Sequence, residues 1–380
     1  MRGEFAAEAP ALPDKLARVS WGYVAAILAL GAIGYAMLYS AAGGSHEPWA
    51  WRHAVRLAFG VLVMLFVALV DPRLWHRLAY LAYAGAFAAL VGVEVMGSLA
   101  KGAQRWIDLG FVQLQPSELM KIALVLALAR YFHGATLAQV GRPLFLLPPV
   151  AMIAAPALLV LNQPDLGTAV MLLATGAVVL FLAGVRWWKF ALVGGGLAAA
   201  LPVIWGQLHA YQRQRVLTFL DPDQDPLGLG YHIIQSKIAL GSGGLWGKGF
   251  LEGTQAQLSF LPEKHTDFVF TMLAEEQGFV GGIAVLALYL VVFLMGLAFA
   301  LRTRSQFGRL VAAGASVTFF LYVVINGAMV TGLIPVVGVP LPLISYGGTA
   351  MMTVMVGCGL ALGVDVHRDL YMRRHPDDDL

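Results

Sequence analysis

Charge is what this sequence has little of. Of its 380 residues only 12% are Asp, Glu, Lys or Arg, while 59% are hydrophobic. An ordinary water-soluble domain carries about 25% charged residues. A surface so poor in charge excludes a water-facing fold and leaves a polytopic membrane protein. Cysteine is nearly missing as well. With Cys358 alone, no intrachain disulfide can form, and the redox compartment is not legible from it. The formal net charge is +3 and the Lys and Arg are dispersed, which argues against a nucleic-acid partner. A nucleotide loop is missing too. Within 241–249, Gly247-Lys248 is followed by Gly249 where Ser or Thr is needed, and Ser242 stands where the first glycine belongs. His232 and His265 have no partners at zinc-ligand spacing.

What the sequence does have is long apolar runs. A membrane helix needs about 20 mainly apolar residues. Such runs fall at 21–41, 54–70, 78–97, 117–132, 144–161, 167–184, 190–208, 279–301, 310–333 and 345–362. They predict an all-α polytopic membrane protein of about ten transmembrane helices, the second and fourth short for full spans. The first run exceeds the core of a signal peptide, about 7–15 residues, and is read as an uncleaved span. Lys and Arg concentrate in the short loops on one side, among them Arg18, Arg73, Arg77, Arg142, Arg186, Lys189, Arg302, Arg304 and Arg368. That bias makes both termini cytoplasmic. The expected organisation is a cytoplasmic segment 1–20, a membrane domain 21–366 and a short polar tail 367–380. Between helices seven and eight, residues 209–267 form a long extracytoplasmic loop, polar, Gly-rich and basic. A polar insertion among apolar spans is where chemistry is expected.

Three polar clusters lie on the outward side. The first runs from Arg105 to Lys121. Pro116 is placed to start the fourth helix, with Glu118 and Lys121 at i and i+3 on one face. They form an ion pair that makes each charge tolerable, or they line a cavity, because ionisable groups in membrane segments usually face a substrate path. In the second cluster, Asn162-Gln-Pro-Asp165, the aspartate is foremost a helix cap. The third is the long loop, whose Arg213, Arg215, Lys237, Lys248 and Lys264 make either a basic face for anionic headgroups or a site for a phosphorylated lipid. At its end Asp267 meets the apolar Phe268-Val-Phe270. Helix cap and general base are equally good readings of that carboxylate; Glu275 and Glu276 are weaker candidates for the base. The last outward loop, 334–348, is apolar and holds Pro335, Pro340 and Pro342. It lines a groove for a lipid tail or serves as a rigid plug.

Taken together, Arg105-Trp-Ile107, Gln115-Pro-Ser-Glu-Leu-Met-Lys121, Gln163-Pro-Asp-Leu-Gly-Thr168, Leu261-Pro-Glu-Lys-His-Thr-Asp-Phe268, Ala274-Glu-Glu276 and Leu343-Ile-Ser-Tyr-Gly-Gly348 resemble the SEDS family over nearly the whole chain. The stretches 211–222, 230–237 and 335–342 are similar to its elongation branch, RodA, more than to its division branch, FtsW. The resemblance implies a glycosyltransferase that polymerises lipid II into β-1,4-linked peptidoglycan strands on the outer face of the bacterial cytoplasmic membrane. It places the catalytic aspartate at Asp267 and the family's paired polar positions at Glu118 and Lys121; Ser345 of the last motif joins the substrate-binding candidates. A class B penicillin-binding protein and other elongation proteins are the implied partners. Arg105, Arg213, Arg215 and Lys248 are then candidates for steadying the departing undecaprenyl pyrophosphate. A divalent cation, Mg or Mn, could assist there, although no carboxylate cluster compels one. The rival readings are a lipid II flippase and a non-catalytic scaffold that activates the penicillin-binding protein.

Overall fold

In lipid the backbone must satisfy its own polar groups, so apolar runs of spanning length become helices. The computed structural model describes residues 11–96, 98–100, 103–108, 113–207, 210–221, 229–257 and 263–372. A short α1 (Leu12–Ala17) leads into α2 (Trp21–Ala41), α3 (Ala50–Leu69) and α4 (Pro72–Met96). Strands β1 (Ser98–Ala100), β2 (Ala103–Asp108) and β3 (Gln113–Leu114) follow as a small antiparallel sheet. Then come α5 (Pro116–His133), α6 (Leu137–Val140), α7 (Pro143–Asn162), α8 (Leu166–Leu182) and α9 (Trp187–Gln207). The chain continues through α10 (Ala210–Leu220), α11 (Leu229–Ser242), α12 (Thr254–Gln257), α13 (Val269–Arg302), α14 (Gln306–Val330) and α15 (Gly348–Val366).

Each of the ten expected spans is met by a helix. Among the described residues, seven helices are long and apolar enough to cross a membrane on those grounds alone. The remaining expected spans are α5, α8 and α9. The first carries Glu118, Lys121 and Arg130, the second has 17 residues, and the apolar part of the third ends at Val203. The protein is an integral membrane protein.

The segment expected as a long loop departs from that expectation, since α10, α11 and α12 form within it. In α11, Ile233, Ser236 and Ala239 recur every three residues and are buried, so a helix can turn one face to the bundle. Ser236 Oγ reaches Val330 O at 2.7 Å.

Two apolar clusters make up the interior, one built largely from α2, α13, α14 and α15, the other from α4, α5, α7 and α8. The most enclosed spans are α15 and α14, with 83% and 72% of their apolar windows buried. Small residues bring α15 onto α3: a Cβ at Gly359 would lie 2.6 Å from Met64 O. The longest helix is broken. Gly278 in α13 has φ 69° and ψ −170°, so residues 269–277 form a half-helix and the span restarts beyond it. The loop 243–249 fills the break. Phe279 N donates to Gly244 O (2.9 Å) and Val280 N to Leu245 O (3.1 Å), while Lys248 N and Gly249 N donate to Glu275 O and Glu276 O (3.0 Å each).

Candidate active site

Asp267 stands at the head of that half-helix. The N-cap position of α13 falls one residue later, on Phe268, with no side-chain cap bond. Its backbone is fixed by α14 and by the proline-rich loop before α15. Asn326 Nδ2 donates to Asp267 O (2.9 Å) and to Val339 O (2.8 Å). Ser345 Oγ donates to Thr266 O (2.5 Å) and accepts from Leu341 N (2.8 Å). Tyr346 N donates to His265 O (2.8 Å). Three successive carbonyls are therefore pinned, and Gly338, at φ 71°, lies so close that an added Cβ would be 3.5 Å from Asp267 Oδ2. Asn326 of α14 and the apolar loop together clamp the aspartate.

Asp267 faces a cavity of about 510 Å³ whose lining also includes Arg105, Glu118, Lys121, Asp165, Tyr322, Tyr346 and Thr349. α5 supplies its floor. Pro116 starts that helix and Glu118 lies in the first turn, where a carboxylate suits the helix dipole. Glu118 and Lys121 are 4% and 0% exposed and meet at 2.6 Å. The Tyr322 hydroxyl donates to the other oxygen of Glu118, and Lys121 Nζ lies 4.2 Å from the centre of the Tyr322 ring. The pair is thus buried inside the protein, and it lines the cavity as well as balancing its own charge. Asp165 likewise does two things. It caps α8, accepting from Thr168 N (3.1 Å) and Thr168 Oγ1 (3.0 Å), and it forms part of the cavity wall, where Gln115 Nε2 donates to it at 3.3 Å. Arg105 on β2 donates through Nε to Gln163 O (2.9 Å) and through a terminal nitrogen to Pro164 O. It staples the strand to the α7–α8 turn while presenting its charge to the cavity.

The other expected basic residues lie elsewhere, because the 209–267 segment folds into separate helices. Arg213 donates to Trp205 O (3.0 Å) and Gly206 O (2.6 Å) at the end of α9, satisfying carbonyls a helix C-terminus leaves open. Lys237 is exposed on α11. The side chain of Arg215 lies outside the described residues. Lys248 pairs with Glu275 at 2.6 Å, and Thr254 Oγ1 and Gln255 N donate to the same carboxylate oxygen. Beside it, Ser40 Oγ donates to Glu276. Glu275 and Glu276 are 0% and 1% exposed and hold the helix break; neither lines the Asp267 cavity. Lys264 lines a second cavity with Trp49, and burial pulls its ammonium below the ordinary lysine value. Among the described residues no three His, Cys, Asp or Glu side chains converge as a metal cage. Sequence reasoning missed Tyr322 and Asn326. The available signal was their i, i+4 spacing on one face of an otherwise apolar span.

Comparison with known proteins places the chain in a family. Residues 20–370 match the family described as cell cycle protein, FtsW/RodA/SpoVE. The chain is 46% identical over 340 residues to the peptidoglycan glycosyltransferase MrdB of Escherichia coli K12, covering 88% of this chain and 90% of that one. Its fold is similar to the rod shape determining protein RodA of Thermus thermophilus, with a TM-score of 0.70 at 30% identity, covering 93% and 98% of the two chains. It is also similar to a chain from a peptidoglycan synthase complex that coordinates polymerization and crosslinking, with a TM-score of 0.78 at 34% identity, covering 92% and 98%.

Proposed function

The chain belongs to the FtsW/RodA/SpoVE family, and from that membership we infer that it is a peptidoglycan glycosyltransferase of the elongation branch. Its substrate is lipid II, and its cavity opens on the extracytoplasmic face of the membrane. The observation that carries the mechanism is a carboxylate whose backbone is pinned at three successive carbonyls beside a cavity lined by Arg105 and Lys121. Such positioning removes the cost of organising the base at the moment of reaction.

Asp267 takes the proton from the 4-hydroxyl of the acceptor N-acetylglucosamine. That oxygen forms a bond to C1 of the donor N-acetylmuramic acid as the bond from C1 to the pyrophosphate oxygen breaks. The electron pair leaves with undecaprenyl pyrophosphate, the α linkage becomes β, and the proton passes from Asp267 to solvent. Arg105, held rigid by the carbonyls of Gln163 and Pro164, offers fixed positive charge where negative charge grows. A divalent cation bound with the pyrophosphate would add further positive charge there. The similarity to the synthase complex supports a class B penicillin-binding protein as the partner that crosslinks the strands.

The test is polymerisation of labelled lipid II by the purified protein with its transpeptidase partner, whose active serine is blocked. Replacing Asp267 by Asn removes the base, and the rate should fall by about 10²–10⁴-fold while the protein stays folded. Equal rates from wild type and variant would overturn the assignment.

A further inference from the structure

The peptide that carries Asp267 stands between two cavities. Thr266 and Asp267 line the one described above. Lys264 lines another of about 500 Å³, with Trp49, Leu251, Pro48 and the small residues that end α2. The wall between them is a stack of rings. The Arg56 guanidinium lies 4.6 Å from the centre of the Tyr346 ring, Tyr346 is tilted against His265 at 6.3 Å, and His265 lies flat on Trp49 at 4.5 Å and 12°. Trp49 and Lys264 are both half-buried, and the glycosyl transfer uses neither.

An indole, an aliphatic edge and one ammonium form the lining suited to an amphipathic ring that bears a negative group. Ala41, Ala42 and Gly43 put no bulky side chain in the way. The distance is right as well. Lys264 precedes Asp267 by three positions, at most about 10 Å along an extended chain. Here the peptide is drawn into a turn, with Thr266 N donating to Glu263 O at 3.1 Å and Phe268 N to the same carbonyl at 3.3 Å. A sugar chain whose reacting end lies at Asp267 would cross the rim of that ring stack to bring its next sugars to Trp49.

We propose that the Trp49–Lys264 cavity is a second saccharide subsite, which seats the sugars of the glycan strand beyond the reacting pair. A pyranose face lies on Trp49, and an acidic substituent meets Lys264. The assignment deepens the polymerase reading and rests on it.

Two measurements test it. The first is binding of a lipid-linked tetrasaccharide and of lipid II, each to the full-length protein, in wild type, Trp49→Ala, Trp49→Phe and Lys264→Gln. The second is the length distribution of strands made from lipid II by the same variants. Trp49→Ala should weaken tetrasaccharide binding about tenfold, leave lipid II binding unchanged and shorten the strands; Trp49→Phe should restore most of both. Unchanged tetrasaccharide affinity in Trp49→Ala overturns the subsite while wild-type polymerisation stands. An equal loss for both ligands also overturns it, since the cavity would then serve the reacting sugars or the fold. If tetrasaccharide binding depends on Trp49 while wild type makes no polymer, the subsite holds and the polymerase reading fails.

Discussion

Lys121 is fully buried and sits against Glu118 and the face of Tyr322. Such a pair adds little net stability over an apolar replacement, but losing one partner strands the other charge, at a cost of about 3–5 kcal/mol. Lys121→Met should therefore lower stability by about that amount. The double variant Glu118→Gln with Lys121→Met should regain most of the loss, because no bare charge remains. Neither variant should polymerise at the wild-type rate if the pair shapes the substrate cavity. Thermal unfolding in detergent, read beside lipid II turnover, separates the two effects; a double variant as unstable as the single one would show that the pair's shape matters more than its charge. At this scale the sequence was partly legible. The i, i+3 spacing of Glu118 and Lys121 and the capping of Asp165 follow from local rules. Tyr322 meets Glu118 across 204 residues, and a tyrosine in an apolar run gives no sign of which helix it faces.

Among elements, the break in α13 connects the polar loop to the base. At φ 69° and ψ −170° Gly278 occupies a region essentially reserved for glycine, and a Cβ there would lie 2.3 Å from Gly247 N. Gly278→Ala should cost at least 1–3 kcal/mol of strain, by the order of magnitude typical of such conformations. It should also disturb the half-helix that begins just after Asp267, so the turnover number should fall along with the unfolding temperature. A Gly278→Ala protein with both intact would show that the loop 243–249 does not hold the half-helix. Hydropathy located the restart of the span at Phe279 because the apolar run begins there. It did not reveal the half-helix before it, where buried Thr271, Glu275 and Glu276 interrupt the apolar pattern. Nor did it reveal α11, which at 14 residues is too short for a span and whose buried positions sit among Gly, Ser and Lys.

Across the whole molecule, packing is uneven, and α9 is the least engaged of the spans. It touches its surroundings near its first turn, where Phe190 meets Phe181 edge-on at 6.1 Å and Lys189 Nζ donates to Gly141 O at 2.9 Å. Residues 191–199 are then exposed, and no atom lies within 4 Å of a Cβ built at Gly194, Gly195 or Gly196. The opposite case is Gly359, pressed against Met64 and Val67 of α3. Gly195 and Gly359 both lie in apolar runs that the sequence reads as spans, because lipid-facing and protein-facing apolar residues look alike in a membrane sequence. The packing distinguishes them. Gly195→Leu should leave the unfolding temperature unchanged or raise it slightly, since a leucine meets only lipid and restores helix propensity of about 1 kcal/mol. Gly359→Leu should force α15 away from α3 and abolish a stable fold, because overpacking of a close helix contact has no room to relax. Equal destabilisation by the two substitutions would mean that α9 closes onto the bundle in the membrane.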